Sequence, residues 1–414
     1  MDANATTPLL PEVFDAMRPF LQESFGNASS IHQSGQHARA AIDQAREQVA
    51  RLLRARASEI VFTSGGTESD NLALFGTINS ESSATGEPAH LVTSTIEHHA
   101  VLHTAQALAR RGVSVTFLPC DSSGLISPNT LRAALRPNTR LVSIMLANNE
   151  TGTLQPIEEL AGITKTHGAF FHTDAVQAAG KLPLDLGLTC SLTSPSGCLK
   201  DVDLLSIAGH KMYAPQGTGI LFVRRLTKLS PLFHGGTHER QRRAGTENVA
   251  GIVALGKAAE LAHRWLTNSG APEPALNSHQ GLASEPWAGA PRNPQELAAL
   301  RDHLEQNLLA LIPNSGVNGA GTARTPNTSN LYFDGLDADS LLIALDLKGL
   351  SVSAGSACQS GATEPSHVLT AMGLSLARAR ASIRISLSRL NTPDEISRAL
   401  EIIPEAVARL RSLS

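Results

Sequence analysis

Two kinds of apolar pattern alternate along this chain. In "RAAIDQAREQVARLLR" (39–54), Ile42, Ala45, Val49, Leu52 and Leu53 recur at helical spacing and share one face. "EIVFTSGG" (59–66) is instead a short apolar strand running into a turn. "HLVTST" (90–95), "VSVTFLP" (113–119), "LVSIMLA" (141–147), "AFFHTDA" (169–175), "VDLLSIA" (202–208) and "GILFVRR" (219–225) read as further buried strands. Near-continuous apolar strands with helical stretches between most of them predict a mainly parallel sheet covered on both faces. Ligands of such sheets bind in the crevice at the carboxyl ends of the strands.

Two stretches interrupt this order. "LTCSLTSPSGCLKD" (188–201) is rich in turn formers, and "TNSGAPEPALNSHQGLASEPWAGAPRNP" (267–294) is dense in Pro, Gly, Ala and Ser. Both read as surface excursions, the second a mobile one. Beyond them a second lobe begins. "QELAALRDHLEQNLLALI" (295–312) and "DADSLLIALDLKG" (337–349) are helical, the latter closed by Gly349. "SIRISLS" (382–388) alternates as a strand. "NTPDEISRALEIIPEAVARLRSL" (391–413) opens with Thr392 as N-cap, Pro393 in the first turn and Glu395 completing a capping box. The expected organisation is a large domain over 10–255 and a small α+β domain built from 1–9 and 256–414.

Composition narrows the function classes. Of 414 residues, 42% are apolar and 17% charged, enough for a sizeable core and too apolar for a disordered chain. The net charge of −3, with both signs well mixed, argues against nucleic acid or a membrane surface as partner. No apolar run reaches transmembrane length, and "MDANATTPLLPEVF" lacks the charged and apolar regions of a secretory signal. Four cysteines, Cys120, Cys190, Cys198 and Cys358, do not make a disulfide framework. A reducing cytoplasm is the expected compartment, and Cys190 and Cys198 read as incidental surface thiols rather than a metal pair.

Several segments carry candidate chemistry. In "SIAGHKMYAPQGTG" (206–219), Lys211 ends an apolar strand, where partial desolvation lowers an amine's pKa and suits it to condense with an aldehyde; an ordinary solvated lysine is the alternative. Asp174, in "HTDAVQ" (172–177), ends another apolar strand, where an unpaired carboxylate is costly. It either caps the following helix or faces a cation such as a protonated pyridine ring. "TSGGTESDN" (63–71) is a glycine turn entering a helix, and the N–H groups of Gly66 and Thr67 suit a phosphate, although any capped helix start can look like this. His99 and His103 share helical spacing but lack a third metal ligand at recognisable spacing; His98 fits better as a ring lying against a planar cofactor. Arg384 faces away from Ile383 and Ile385, as a carboxylate clamp or as a solvated strand arginine.

These segments together resemble one family. The lysine after "GH", the aspartate in "DAVQ", "SGGTESDN", "EHHAVL" and "ANNETG" (147–152) are similar to the cysteine desulfurases, pyridoxal-phosphate enzymes of aminotransferase class V. The resemblance extends from "DANATTP" (2–8) through "GNASSIHQSGQHAR" (26–39) and "HGGTHERQRRAGTEN" (234–248) to "SAGSACQSGATEPSHVL" and "ASIRISLSRLNTPDE". Around the cysteine it resembles the NifS/IscS type and not the SufS type. It implies an α/β fold: the type I fold of pyridoxal-phosphate transferases, with a mainly parallel seven-stranded sheet in the large domain and a smaller α+β domain.

The resemblance also implies roles. Lys211 would bind pyridoxal 5′-phosphate covalently and shuttle protons at the substrate Cα. Asp174 would pair with the pyridine nitrogen, Gln177 with the ring hydroxyl, and His98 would stack on the ring as an acid–base. Gly66, Thr67 and His210 would contact the phosphate, joined by Thr246 from the second subunit of a homodimer. Asn149 and Arg384 would hold the carboxylate of L-cysteine. Cys358 would attack the substrate sulfur, leaving a Cys358 persulfide and L-alanine; a sulfur-acceptor protein, an iron–sulfur scaffold or a thiolation enzyme, would then take the sulfur. A selenocysteine lyase, an aminotransferase of the same fold and a non-catalytic sulfur-relay scaffold are the competing readings.

Some features depart from the family. Ala208 stands where serine is usual, the 188–201 excursion is longer than usual, and the N-terminus is a few residues short, which predicts an incomplete first strand. The small residues of 353–361 predict a loop with few contacts, variably placed in the resting enzyme.

Overall fold

The computed structural model describes residues 1–79, 88–187, 189–190, 197–268, 289–355 and 365–413. The mobile segment expected within 267–294 falls largely on 269–288, outside the described residues, as does Cys358.

The larger of two sheets contains β1 (Ile60–Thr63), β2 (His90–Ser94), β3 (Ser114–Leu118), β4 (Thr139–Ser143), β5 (Phe170–Asp174), β6 (Leu204–Ala208) and β7 (Gly219–Val223). Their order is β1-β7-β6-β5-β4-β2-β3, and β7 alone runs against its neighbours. The expected seven-stranded, mainly parallel sheet is therefore present. One strand differs from expectation: β3 lies at the sheet edge and is half-buried over Ser114–Phe117. β4 ends earlier than its apolar run, but Ile144 and Leu146 still donate their N–H groups to His172 and Asp174 of β5.

Helices cover both faces of this sheet. They are α1 (Pro11–Gln22), α2 (Gln33–Leu53), α3 (Gly66–Ile78), α4 (His99–Arg110), α5 (Pro128–Ala134), α6 (Ile157–His167) and α7 (Val249–Thr267). Alternate strand residues point to opposite layers. Leu204 and Leu221 join Leu72, Leu74, Val101 and Leu108 on the α3–α4 side. Leu205, Ile207 and Phe222 join Ile42, Val49, Leu53, Ile252 and Leu255 on the other. Helix α7 packs on α1 and α2, so the division expected at residues 255 and 256 falls inside a helix.

The second sheet contains β8 (Ser315–Val317), β9 (Thr328–Phe333) and β10 (Ser382–Ser386), all antiparallel. Helices α8 (Pro294–Leu311), α9 (Ala338–Asp346), α10 (His367–Ala371), α11 (Leu376–Arg380) and α12 (Pro393–Arg411) accompany it. Ile383 and Ile385 of β10 enter a core with Leu308, Phe333, Leu345 and Ile403, while Arg384 points to the opposite face. Thr392 and Glu395 form the expected capping box of α12. Gly349 closes α9 in a left-handed conformation, with Leu350 N–H returning to Leu345 O. Among the described residues no helix is long and apolar enough to cross a membrane.

One cysteine expectation is corrected. Cys190 and Cys198 are joined by a disulfide, their Cα atoms 5.7 Å apart, and are not free thiols. Cys198 is placed by an isolated bridge to Asp185 and by its N–H, which donates to Glu158.

A buried ion pair ties α2 to β1. Arg46 donates to both carboxylate oxygens of Glu239 at 2.8 and 2.7 Å and to Ile60 O, while Phe62 N–H donates to Glu239. Glu239, Arg240 and Gln241 all have left-handed backbone conformations, which such contacts must hold in place. Replacing one member of a buried pair leaves the other charge uncompensated, so we expect Glu239→Gln to lower stability by about 3–5 kcal/mol in urea titration.

Candidate active site

A cleft of about 230 Å³ opens where β5 and β6 end, at the carboxyl edge of the parallel strands. Gly66, Thr67, His98, Asn149, Asp174, Gln177, His210, Lys211 and Arg384 all line it. Sequence segments up to 318 positions apart, from 66 to 384, are thus brought to one place. Thr246 is exposed and lies outside this cleft. His99 and His103 stack on each other, ring centroids 4.8 Å apart, rather than lining it.

The start of α3 forms one wall. Its first turn leaves N–H groups unpaired within the helix, and those of Gly66 and Thr67 lie at the cleft. Position is enforced from behind. Ser69 Oγ bonds to Thr63 Oγ1 at 2.8 Å and to Ile220 O at 2.9 Å, joining the helix to β1 and β7. Gly219 lies so close to the turn that an added Cβ would stand 2.5 Å from Gly65 Cα. Ala208, 3% exposed, faces the same turn, 3.5 Å from where a Cβ on Gly66 would sit.

Lys211 ends a short turn that follows β6, Gly209–Lys211. Its Nζ donates to Asn4 O at 2.5 Å and Ala5 O at 2.6 Å, so the ammonium is held by carbonyls of the N-terminal segment. Asp174 sits at the end of β5, 6% exposed, and accepts from Val176 N–H at 2.8 Å. Burial raises its carboxyl to about 6, against the pull of that N–H and of Lys211. A carboxyl raised this far responds strongly to any cation placed beside it.

The imidazoles here are neutral near pH 7. Burial and Lys211 lower His98 to about 4, and they do the same to His210. His98 Nδ1 accepts from Ala100 N–H at 3.1 Å, capping α4, which places its proton on Nε2. His210 Nδ1 lies 3.1 Å from Thr6 Oγ1. Gln177 donates to Asn4 O at 3.1 Å and accepts from Lys181 Nζ at 2.8 Å.

Arg384 is 2% exposed. One Nη donates to Asn149 O at 2.9 Å and the other to Asp2 Oδ1 at 2.9 Å. Its side chain lines the cleft with donors to spare, and a guanidinium fork suits a carboxylate. The sequence reading of a clamp on β10, facing away from Ile383 and Ile385, agrees with this placement.

Other residues of the site carried no warning in their own segments. Asn4 and Ala5 lie in "DANATTP", where a run of small polar residues gives no functional signal. Lys181 is buried behind Gln177, and burial, Lys211 and Arg384 hold its amine well below the usual lysine range. Asp70 lines the cleft and stands 3.6 Å from His172 Nε2; burial and Asp174 push its carboxyl well up. Position 70 follows Gly66 by one helical turn, the spacing that could have marked it.

Comparison with known proteins places this arrangement. The sequence profile of the aminotransferase class-V family matches residues 1–272 and 289–399. Over the whole chain, 45% of residues are identical to a protein named cysteine desulfurase IscS from Methanosarcina thermophila, covering 93% of it. A cysteine desulfurase of a Nostoc species is also 45% identical, with 94% of it covered. Among solved structures, one of a NifS-like protein superposes with a TM-score of 0.83 at 34% identity, covering 99% of both chains. A structure named SspA in complex with cysteine has a TM-score of 0.74 at 37% identity, covering 93% of this chain and 97% of the other.

Glu97, immediately before His98, gives the site a pH signature. It is fully buried and accepts through Oε1 from Ser94 Oγ and Met145 N–H, and burial raises its carboxyl to about 8. A carboxyl raised on folding contributes stability that is complete below its unfolded value and is lost as pH climbs through the folded one. The window therefore runs from about pH 4.5 to 8. Glutamine keeps the Oε1 acceptor and carries no charge. We expect Glu97→Gln to stabilise the cofactor-free protein at pH 8 and to leave it unchanged near pH 4.5, measured by chemical denaturation; an equal effect at both pH values contradicts the assignment.

Proposed function

The chain belongs to the aminotransferase class-V family, and we propose that it is a cysteine desulfurase acting on L-cysteine, with Cys358 as sulfur acceptor. The observation that carries this reading is the convergence of Lys211, Asp174, His98 and Arg384 on one cleft. A phosphate-bearing pyridine aldehyde beside an amino acid suits this set of groups.

The family is generally dependent on pyridoxal 5′-phosphate, and the residues present suit that group. Lys211 offers the amine for covalent attachment. The raised Asp174 carboxyl is matched to a protonated ring nitrogen, Gln177 to the ring hydroxyl and His98 to the ring face. Gly66, Thr67 and His210 supply donors for the phosphate, with the exposed Thr246 of a second subunit completing them in a homodimer. When bound, the cofactor supplies an electron sink for the pair left at the substrate Cα.

The protein's own groups do the rest. Arg384 and Asn149 orient the substrate carboxylate. Lys211 takes the Cα proton and returns it to the three-carbon fragment. His98, neutral at pH 7, moves the remaining proton. Cys358 attacks as thiolate: its sulfur bonds to the substrate sulfur, the carbon–sulfur bond breaks, and the electron pair stays on carbon, which is protonated to alanine. Cysteine and one thiol thus become alanine and one persulfide, with no external oxidant. The persulfide then passes to an acceptor protein, an iron–sulfur scaffold or a thiolation enzyme, in the cytoplasm.

Incubation with L-cysteine and a reductant, scoring alanine and sulfide, tests this directly. Lys211→Ala should abolish turnover. Cys358→Ser should bind cofactor and cysteine yet form no persulfide; sulfide production at the wild-type rate by this variant overturns the nucleophile assignment. Ala208 yields a separate expectation. A serine hydroxyl beside Gly66 adds one phosphate hydrogen bond, about 1–2 kcal/mol, so Ala208→Ser should tighten cofactor binding by roughly 5–30-fold in equilibrium titration.

A further inference from the structure

Glu150 follows Asn149 but does not line the cleft. It is 0% exposed. Its Oε2 accepts from Ser366 Oγ at 2.5 Å, the length of a charge-assisted bond, while Oε1 is buried with no hydrogen-bond partner. Burial raises its carboxyl, against Ser366, His367 and Arg384, which pull it down. Leaving one carboxylate oxygen unsatisfied in the interior is costly, and the reaction assigned to the cleft makes no use of this residue.

What Glu150 touches accounts for it. Residues 356–364, which include Cys358, lie between Gly355 and Pro365. Ser366 caps α10 on the far side of that segment. On the near side Gly355 has a left-handed backbone (φ 56°), and a Cβ there would lie 3.3 Å from Ser366 Cβ and 3.5 Å from Glu150 Oε2. Both stems therefore meet at Glu150. Each is tied down further. Ser353 pairs with the Arg384 backbone in both directions, and its hydroxyl donates to Asp2 at 2.7 Å. The His367 ring bonds to Glu97 O at 3.0 Å. Glu150 itself is fixed through its N–H to Asn148 Oδ1 and its carbonyl from Asn330 Nδ2. Two residues, Ser356 and Ala357, separate Cys358 from Gly355, so three Cα steps give a reach of about 10 Å at full extension. Where that reach is centred is set by the stems.

We propose that Glu150 is a positioning residue for sulfur transfer: by gripping Ser366 beside Gly355 it fixes the base from which Cys358 reaches the substrate sulfur. This rests on the desulfurase reading above. It separates two steps that a general structural role would not. Cysteine binding depends on Arg384 and Asn149, whereas persulfide formation depends on the placement of Cys358.

The test uses the full-length holoenzyme. Cysteine affinity is read from the change in cofactor absorbance, and persulfide formation by rapid mixing and mass analysis of Cys358. Ser366→Ala and Glu150→Ala should slow persulfide formation about tenfold or more, since small misplacements of a reacting group cost rate steeply, with cysteine affinity changed by less than about twofold. Ser366→Thr and Glu150→Gln, which keep a hydroxyl and an acceptor, should retain at least roughly half the wild-type rate. Wild-type persulfide rates in both alanine variants overturn the proposal, as does a parallel loss of affinity and rate. If Glu150→Ala fails to fold, Ser366→Ala decides. Alanine formation is scored alongside: a wild-type enzyme that makes none from L-cysteine rejects the desulfurase reading itself, and undiminished alanine production by Cys358→Ser rejects Cys358 as the nucleophile.

Discussion

Asn4 is the residue on which the geometry of the cleft turns. Its N–H donates to Ser386 Oγ, and its carbonyl accepts from Lys211 and Gln177. Oδ1 accepts from Lys181 and Asn327, and Nδ2 donates to Asn149 O and Thr328 Oγ1. One residue, through its backbone and side chain together, therefore joins the turn after β6, the loop after β4 and the second sheet. The N-terminal segment is held between the sheets to make this possible. Ala3 N–H donates to Ser386 O on one side, and Thr7 bonds to His210 O on the other. A network in which nearly every donor has its acceptor is rigid, because shifting any member breaks several bonds at once. That rigidity keeps the Lys211 amine in register with the walls around it.

Burial sets the chemistry of those walls. Desolvation favours the neutral form of each titratable group: His98, His172 and His210 fall to about 4, 3 and 4, while Asp174 and Glu97 rise to about 6 and 8. The interior behind the cleft is thus poor in fixed charge despite its many ionisable residues. A phosphate or a carboxylate entering such a place would meet oriented donors, and a pyridinium the Asp174 carboxylate, with little screening water, so each charge would be felt strongly. The two helix starts nearby add to this: α3 presents N–H groups to the cleft, and the N-terminus of α4 is capped by His98 itself.

How much of this the sequence disclosed follows from which signals are local. The strands of the large sheet were legible because both faces are buried, so each is a short apolar run with little polar punctuation. β3 misled because an edge strand can be as apolar as a central one while one side stays half-exposed. β8 and β9 were not anticipated. β9 carries buried Thr328, Ser329 and Asn330, polar residues satisfied by contacts from distant segments, and its polar pattern hides a buried strand. Lys211, Asp174 and Arg384 were readable because each is a charged residue where an apolar strand places it against the interior. Asn4, Asp2, Lys181 and Glu150 were not, since their roles exist only through partners far away in the chain. The disulfide is not legible for the same reason: Cys198 is placed by Asp185 and Glu158, partners elsewhere in the chain.

Carrying the proposed nucleophile, Cys358, on a segment of its own has a physical rationale. The groups proposed to bind and ionise the substrate sit at strand ends and helix starts, where backbone geometry is fixed and every change is shared with the core. A thiol that must reach a bound sulfur and afterwards present it to a second protein cannot be fixed in the same way. The chain resolves this by fixing the base. Ser353, Gly355, Ser366 and His367 are tied to Arg384, Asp2, Glu150 and Glu97, the first and last two bonded to the strand and loops that build the cleft. Between those stems the sequence SACQSGATE (356–364) consists mostly of small residues. On the proposed reading, a precisely held base is what would let a cysteine on such a segment serve a buried substrate without adding a large side chain that the cleft would have to accommodate.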